Sequence, residues 1–289
     1  MPARFIRAGN TASRRSMLLL PLLGALPLGC KRSSELSAEK AKAHATLLVQ
    51  AAAKDVDEIR NGLPKGAELL REYFSGDKFD DPGLAREALA RARGKVQDLR
   101  VAKSTFFALV DTNGLVLRSD QENDVLAGRN LFGAFPELRA ALDGKYVESR
   151  GEMAEAATVR GRDAQWVAAH PVRDAQRLLG VYATGWSWSA YAYRLENQLR
   201  SSVRASLGER EKEPLLYVYV VVGKAVFGAP LSPEVNARVI GEQQFDGAAV
   251  VKTPSAVERE ITGRDFGIAF LGAPKLGQGV GIAVLRSET

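Results

Sequence analysis

The chain has 289 residues, 46% hydrophobic and 26% charged. That composition excludes a disordered chain and a multi-pass membrane protein and leaves room for two modest domains. Its net charge of +6 does not mark a nucleic-acid binder, because residues 1–29 hold Arg4, Arg7, Arg14 and Arg15 with no acid, which leaves +2 on the remainder. One cysteine excludes a disulfide framework, and two histidines, His44 and His170, exclude Cys/His-rich zinc sites.

Met17 to Leu28 is an apolar run behind the arginines, of signal-peptide length and too short to span a bilayer. It closes on Leu26-Pro27-Leu28-Gly29-Cys30, which resembles the bacterial lipoprotein box, with Pro27 standing where that box usually carries leucine. The resemblance implies cleavage after residue 29, lipidation of Cys30, and a chain tethered to a membrane outside the cytosol. Several acyl chains on one cysteine meet the two-signal requirement for stable anchoring. Cys30 is then an anchor rather than a nucleophile. Ser13-Arg14-Arg15-Ser16-Met17-Leu18-Leu19 also resembles a twin-arginine export signal. A plain cleaved signal with an incidental cysteine is the alternative. Lys31, rather than aspartate, favours delivery to the outer membrane.

Residues 30–38, rich in serine and charge, read as a lipidated tether. A helical spine over 39–103 follows. Ala41, Ala45, Leu48, Ala52, Val56 and Ile59 recur at three- and four-residue steps, one apolar stripe of a helix that Gly62-Leu63-Pro64 should stop. After a loop at 76–83, Ala85, Ala88, Leu89, Ala92, Val96 and Leu99 mark a second helical face. The period then changes. Thr105 to Val110 and Leu115 to Arg118 flank Asp111-Thr112-Asn113-Gly114, the pattern of a hairpin. Gln165 to Val172 and Leu178 to Trp188 predict a later strand pair, and a helix runs from about Ala190 to Leu207. The plan repeats. Leu215 to Val222 and Ala225 to Phe227 form a hairpin about Gly223-Lys224, and 266–271 and 280–285 form a second late pair.

In order and spacing these pieces resemble the Cache family, the extracytoplasmic PAS-like ligand-sensing domains of bacterial receptors, in the tandem form called double Cache. The resemblance is carried by Phe107 to Gly114, Leu126-Ala127-Gly128-Arg129-Asn130-Leu131, the helix-then-glycine stretch from Pro136 to Gly144, and Ala169 to Asp174 leading to Gly180-Val181-Tyr182. It implies an α+β fold: a long N-terminal helix followed by two PAS-like antiparallel-sheet domains in tandem. The first spans 104–188, a connecting helix 189–213, and a second, shortened domain 214–289. Each sheet would have five or six strands, with the long helix on one face and a small ligand pocket on the other. The chain shows no second membrane helix and no cytoplasmic output domain, so a signal would leave through an envelope or membrane protein partner.

Two-residue alternation puts Trp166, Ala168 and His170 on one face, and Tyr182, Thr184 and Trp186 on one face. If these line the pocket, Trp166, His170, Tyr182 and Thr184 are ligand contacts, Tyr146 is a further wall, and Arg118 or Arg129 could clamp a carboxylate. Residue by residue, core packing explains a strand Trp or Tyr more readily, a satisfied turn explains His170, and solvent explains Arg118. No Gly-x-Ser-x-Gly elbow, P-loop or His-Glu-x-x-His motif supports an enzyme, and no cofactor or metal is expected. The expectation is a lipid-anchored, periplasm-facing sensor of a small molecule. The alternative is an envelope scaffold whose domains serve as docking surfaces.

Overall fold

The structure, a computed structural model, describes residues 33–74, 81–153, 163–245 and 253–288. The export segment, Cys30, the first residues of the tether and 76–80 of the expected loop lie outside them.

Helix α1 (Ser33–Phe74) runs 42 residues, about 63 Å at 1.5 Å per residue. Its stripe is the expected one, extended by Leu63, Ala67 and Leu70, and every member is buried. Two boundaries differ from expectation. The helix starts inside the segment read as tether, because Ser34 and Ser37 are small enough to be buried, and Ser37 Oγ accepts a hydrogen bond from the Glu288 amide at 3.2 Å. It also passes through Pro64 rather than stopping there. A proline inside a helix costs about 3 kcal/mol, but Ile59, Leu63 and Leu70 bury completely around it, each worth roughly 1.5–3 kcal/mol. Gly62 and Gly66 are notches in the same stretch. A Cβ there would lie 2.6 Å and 2.7 Å from Leu99, and at Gly66 also 2.7 Å from the Tyr182 ring.

The second helical face is broken in two. Helix α2 (Pro82–Lys95) is capped by Asp81, whose Oδ1 accepts from the amides of Gly83 at 2.7 Å and Leu84 at 3.3 Å. Val96 is extended, and α3 (Gln97–Val101) restarts beyond it. The break lets Leu99 seat against the glycine notches of α1.

The first sheet comprises β1 (Phe106–Val110), β2 (Val116–Ser119), β3 (Val147–Glu152), β4 (Ala164–Asp174) and β5 (Arg177–Ser187), in the order β2-β1-β5-β4-β3. In the first hairpin Asp111 Oδ1 accepts from the Asn113 and Leu115 amides, an Asx turn ahead of Gly114 at φ +90°. Between β2 and β3 lie α4 (Leu131–Ala134) and a short 3-10 helix, Pro136–Asp143. Helix α5 (Trp188–Ser206), capped by Ser187, leads to the second module.

The second sheet comprises β6 (Leu215–Val222), β7 (Ala225–Gly228), β8 (Ser255–Ile261), β9 (Arg264–Gly272) and β10 (Val280–Ser287), in the order β7-β6-β10-β9-β8. Helix α6 (Glu234–Glu242) takes the place of the short helices. Strand for strand the order repeats that of the first sheet, so the second module is shortened only outside its sheet. Strands β3 and β8 have no counterpart among the strand runs read from the sequence. Both are edge strands, Val-Glu-Ser-Arg-Gly-Glu and Ser-Ala-Val-Glu-Arg-Glu-Ile, whose charges guard an open edge and erase the apolar alternation.

Helix α1 covers one face of each sheet. Phe107, Leu109, Trp166, Ala168, Tyr182 and Trp186 of the first face it, as do Leu216, Val218, Val220, Ile282 and Val284 of the second, in one continuous core. The opposite faces carry separate cores, one under α4 and Pro136–Asp143, the other under α6. Arg150 of the first module donates to the Gln278 carbonyl of the second at 2.7 Å, and Lys275 of the second pairs with Asp57 of α1 at 2.8 Å.

Candidate functional site

A PAS-like sheet has two faces on which a site could be built, and the aromatic residues singled out on β4 and β5 fall on the one already occupied. Trp166 stacks on Trp186 with ring centroids 4.2 Å apart, and Trp186 stacks on Tyr191 at 4.6 Å, all under α1. Tyr182 is fully buried against Gly66 and stacks on Phe107 at 5.7 Å, and burial pushes its phenol well up. Thr184 donates to the Phe106 carbonyl at 2.7 Å, which satisfies it inside the sheet. His170 is half-buried, with Nδ1 2.9 Å from the Pro171 carbonyl, and burial lowers its pKa. These side chains form the junction of sheet, α1 and α5 rather than the wall of an open pocket.

The charged candidates lie elsewhere. Arg118, on edge strand β2, donates to the Leu117 carbonyl at 2.7 Å and sits 3.9 Å from Asp124, with two strands between it and β4. Arg129 donates from Nε to the Val125 carbonyl at 2.9 Å. Tyr146 donates to Glu148 Oε1 at 2.9 Å, the same oxygen that Arg60 of α1 reaches at 2.7 Å. Burial raises the Tyr146 phenol, and Glu148 beside it adds to the rise. Tyr146 therefore belongs to the polar seam between modules, since Arg60 also approaches Asp57 at 3.6 Å and Asp57 holds Lys275.

On the face away from α1 the two modules differ in chemistry. In the first, Phe106, Ala108, Val110, Val167, Ala169 and Val181 meet a cover of buried apolar side chains that includes Leu131, Phe132, Phe135 and Leu138. Among the described residues that space is filled with carbon. Its polar end is Gln165, whose Nε2 donates to Asp163 at 3.3 Å while Oε1 has no partner.

In the second module the same layer holds Tyr219, Ser232 and Asn236. Tyr219 is 1% exposed and Asn236 3% exposed. The Tyr219 hydroxyl, Ser232 Oγ and Asn236 Nδ2 are each buried without a hydrogen-bond partner of good geometry among the described residues. Burial pushes the Tyr219 phenol up to about 12, and nearby Asn236 and Ser232 oppose the rise, which places the three groups together. Hydrogen bonding among them, poorly aligned, makes the three a small buried polar group inside an otherwise apolar layer. Beside them opens a cavity of about 390 Å³ lined by Tyr193, Glu196, Arg200, Tyr217, Leu231 and Ser232.

Local strand geometry makes that opening. Strand β7 pairs with β6 only over Tyr219–Val222, so the earlier half of β6 has a bare edge. Helix α5 supplies the missing partners: the Val218 amide donates to Glu196 Oε2 at 3.0 Å, and Arg200 donates to the Leu216 carbonyl. Arg200 also lies over the Tyr217 ring, 5.8 Å from its centroid. Nothing in the sequence brings Tyr219 to Ser232 and Asn236, because Tyr219 sits in a continuous apolar strand and the other two follow a loop.

No protein-family model and no curated protein matches this chain. Solved structures match its fold. The extracellular domain of a protein described as the histidine kinase vpHK1S-Z8 superposes with a TM-score of 0.57 at 12% identity, over 89% of this chain and 92% of that one. A domain of a sensory box/GGDEF family protein from Vibrio parahaemolyticus gives 0.54 at 13% identity, over 89% and 98%. An extracellular ligand binding receptor from Desulfohalobium retbaense gives 0.52 at 13% identity, over 86% of this chain, which spans only 40% of that receptor's length. The fold is thus the tandem PAS-like arrangement of extracellular sensor domains. No helix among the described residues is long and apolar enough to cross a membrane, and no metal-ligating cluster occurs among them.

Proposed function

We propose that this chain is a membrane-tethered extracytoplasmic sensor of a small organic molecule, acting through a partner protein in the envelope. The observation that carries the ligand is the 390 Å³ cavity beside β6, with the loosely bonded buried polar group of Tyr219, Ser232 and Asn236 next to it and Ser232 shared between the two. The ligand class follows from the lining. Tyr193, Tyr217 and Leu231 suit a compact apolar body, and the Ser232 hydroxyl suits a carbonyl or carboxylate oxygen. The site is thereby moved from the first module, where the sequence suggested it, to the second. The likeness to extracellular sensor domains supports the compartment, and the Leu26-to-Cys30 box supports the tether.

Thermal-shift screening of the full chain in detergent tests the ligand. A molecule selective for the native state at a hundredfold excess over its Kd adds about 2.7 kcal/mol. A stabilising ligand is expected for the natural protein and not for a Tyr219→Phe, Asn236→Leu variant. That variant, free of ligand, should be nearly as stable as the parent, because both partners of the Tyr219–Asn236 contact are replaced by apolar groups of similar shape. Absence of any stabilising solute, with an unaltered variant, would overturn the sensor and favour a docking scaffold, a reading that the carbon-filled face of the first module supports. For the tether, mass spectrometry of membrane-extracted protein should find a diacylglyceryl group on Cys30. Cys30→Ala should lose it and move the chain to the soluble fraction. An unmodified parent protein sinks the anchor.

A further inference from the structure

A larger cavity, about 630 Å³, opens where the first turns of α1, the end of α5 and the end of β10 meet. Its charged lining is unbalanced. Lys40 and His44 project from one face of α1, Arg210, Glu211 and Lys212 come from the turn after α5, and Arg286 and Glu288 close it from β10. Both acids are committed to the protein itself. Glu288 accepts from Arg286 Nε at 2.8 Å and from the Arg286 guanidinium again at 3.2 Å, and lies 3.3 Å from Lys40. Glu211 accepts the Gly208 amide at 2.9 Å. Arg210 and Lys212 make no hydrogen bond or ion pair among the described residues, so their charge is directed at the cavity and the solvent in it.

His44 adds a latent fifth cation to Lys40, Arg210, Lys212 and Arg286. Its Nδ1 is buried without a partner. Burial, and then the positive charge of Arg286 and Lys40, lowers its pKa to about 4 against the weaker pull of Glu288. The imidazole is therefore neutral at pH 7, held so first by burial and then by Arg286 and Lys40. A phosphate anion placed among Lys40, Arg210 and Lys212 would oppose that charge and favour a protonated His44. Cations arriving from three directions fit a tetrahedral anion better than a planar carboxylate.

We propose that this cavity is a binding site for a phosphate group, supplied either free in solution or by a lipid headgroup. The cavity stands on its own residues, and only the headgroup source rests on the lipid tether proposed above, Lys40 being ten residues after Cys30 in the chain. Below about pH 6, where phosphate is a monoanion, its binding and the protonation of His44 favour each other, because each adds a charge opposite to the other's.

The two histidines make the test direct, since labelled imidazoles of the full chain give two signals and His170 serves as the internal reference. Inorganic phosphate, compared with chloride at equal ionic strength, should raise the His44 titration midpoint by about one pH unit and leave His170 unmoved. The second arm places the chain on phosphatidylglycerol vesicles and on phosphatidylcholine vesicles. A shift in free phosphate assigns the site to a soluble anion, and a shift confined to phosphatidylglycerol assigns it to the headgroup. A His44 midpoint that moves in neither arm overturns the proposal. Arg210→Gln with Lys212→Gln alters only exposed side chains and should weaken phosphate binding about tenfold or more, the loss expected for two charge-assisted contacts. Unchanged affinity in that folded variant would overturn it equally.

Discussion

Gly267→Val is expected to lower stability by about 3 kcal/mol or more, the upper end of what overpacking costs. Gly267 lies on β9 where α1 crosses the second sheet, and a Cβ there would collide with the backbone of Ser37 and Ala38. Side chains can turn aside from an added methyl group, but a helix backbone moves only as a body. The substitution must lift the start of α1 off β9, taking with it the contact between Ser37 and Glu288. All three tryptophans, Trp166, Trp186 and Trp188, are buried at the first module, so fluorescence reports a place remote from the change while circular dichroism reports the whole chain. The two should shift together in urea, because one helix serves both sheets. A stability loss under about 1 kcal/mol would show that α1 can ride over this strand freely.

Trp186→Ala is expected to cost about 3–5 kcal/mol, the usual penalty for emptying a large aromatic site. Trp186 is the middle ring of three, between Trp166 and Tyr191. At the end of the stack the Tyr191 hydroxyl donates to Asp55 Oδ2 at 2.8 Å, and burial raises the Asp55 carboxyl above its ordinary range despite that bond. Removing the ring leaves both neighbours without a face to pack on and admits water toward Asp55. Trp186→Phe keeps a ring in place and should lose far less. Urea denaturation of the three proteins gives the ordering, and an alanine variant as stable as the phenylalanine one would mean the stack contributes no packing energy.

Much of the fold was legible because burial writes a period into the chain. The three- and four-residue steps from Ala41 to Ile59 announce α1, and Asp111 to Gly114 announces the first hairpin. Pro64 misled because local propensity was read without the tertiary burial of Leu63 and Leu70 that outweighs it. The edge strands β3 and β8 were invisible because an edge is protected by charge, which looks like loop. Alternation put Trp166 with Ala168, and Tyr182 with Trp186, on shared faces, as the core under α1 has them. It cannot tell which face a helix will cover, and the covered face is where these residues went. Tyr219, Ser232 and Asn236 carry no spacing signal at all. They become neighbours only when α6 folds back on β6.

The bond from the Glu288 amide to Ser37 joins residues separated by almost the whole chain, and it has a consequence in time. During synthesis α1 emerges first, and its stripe stays without its full cover until β10 leaves the ribosome. The second module cannot close before then, because β10 lies between β6 and β9. Until then the early part of α1 is an amphipathic helix whose stripe lacks its second sheet, a surface open to chaperones.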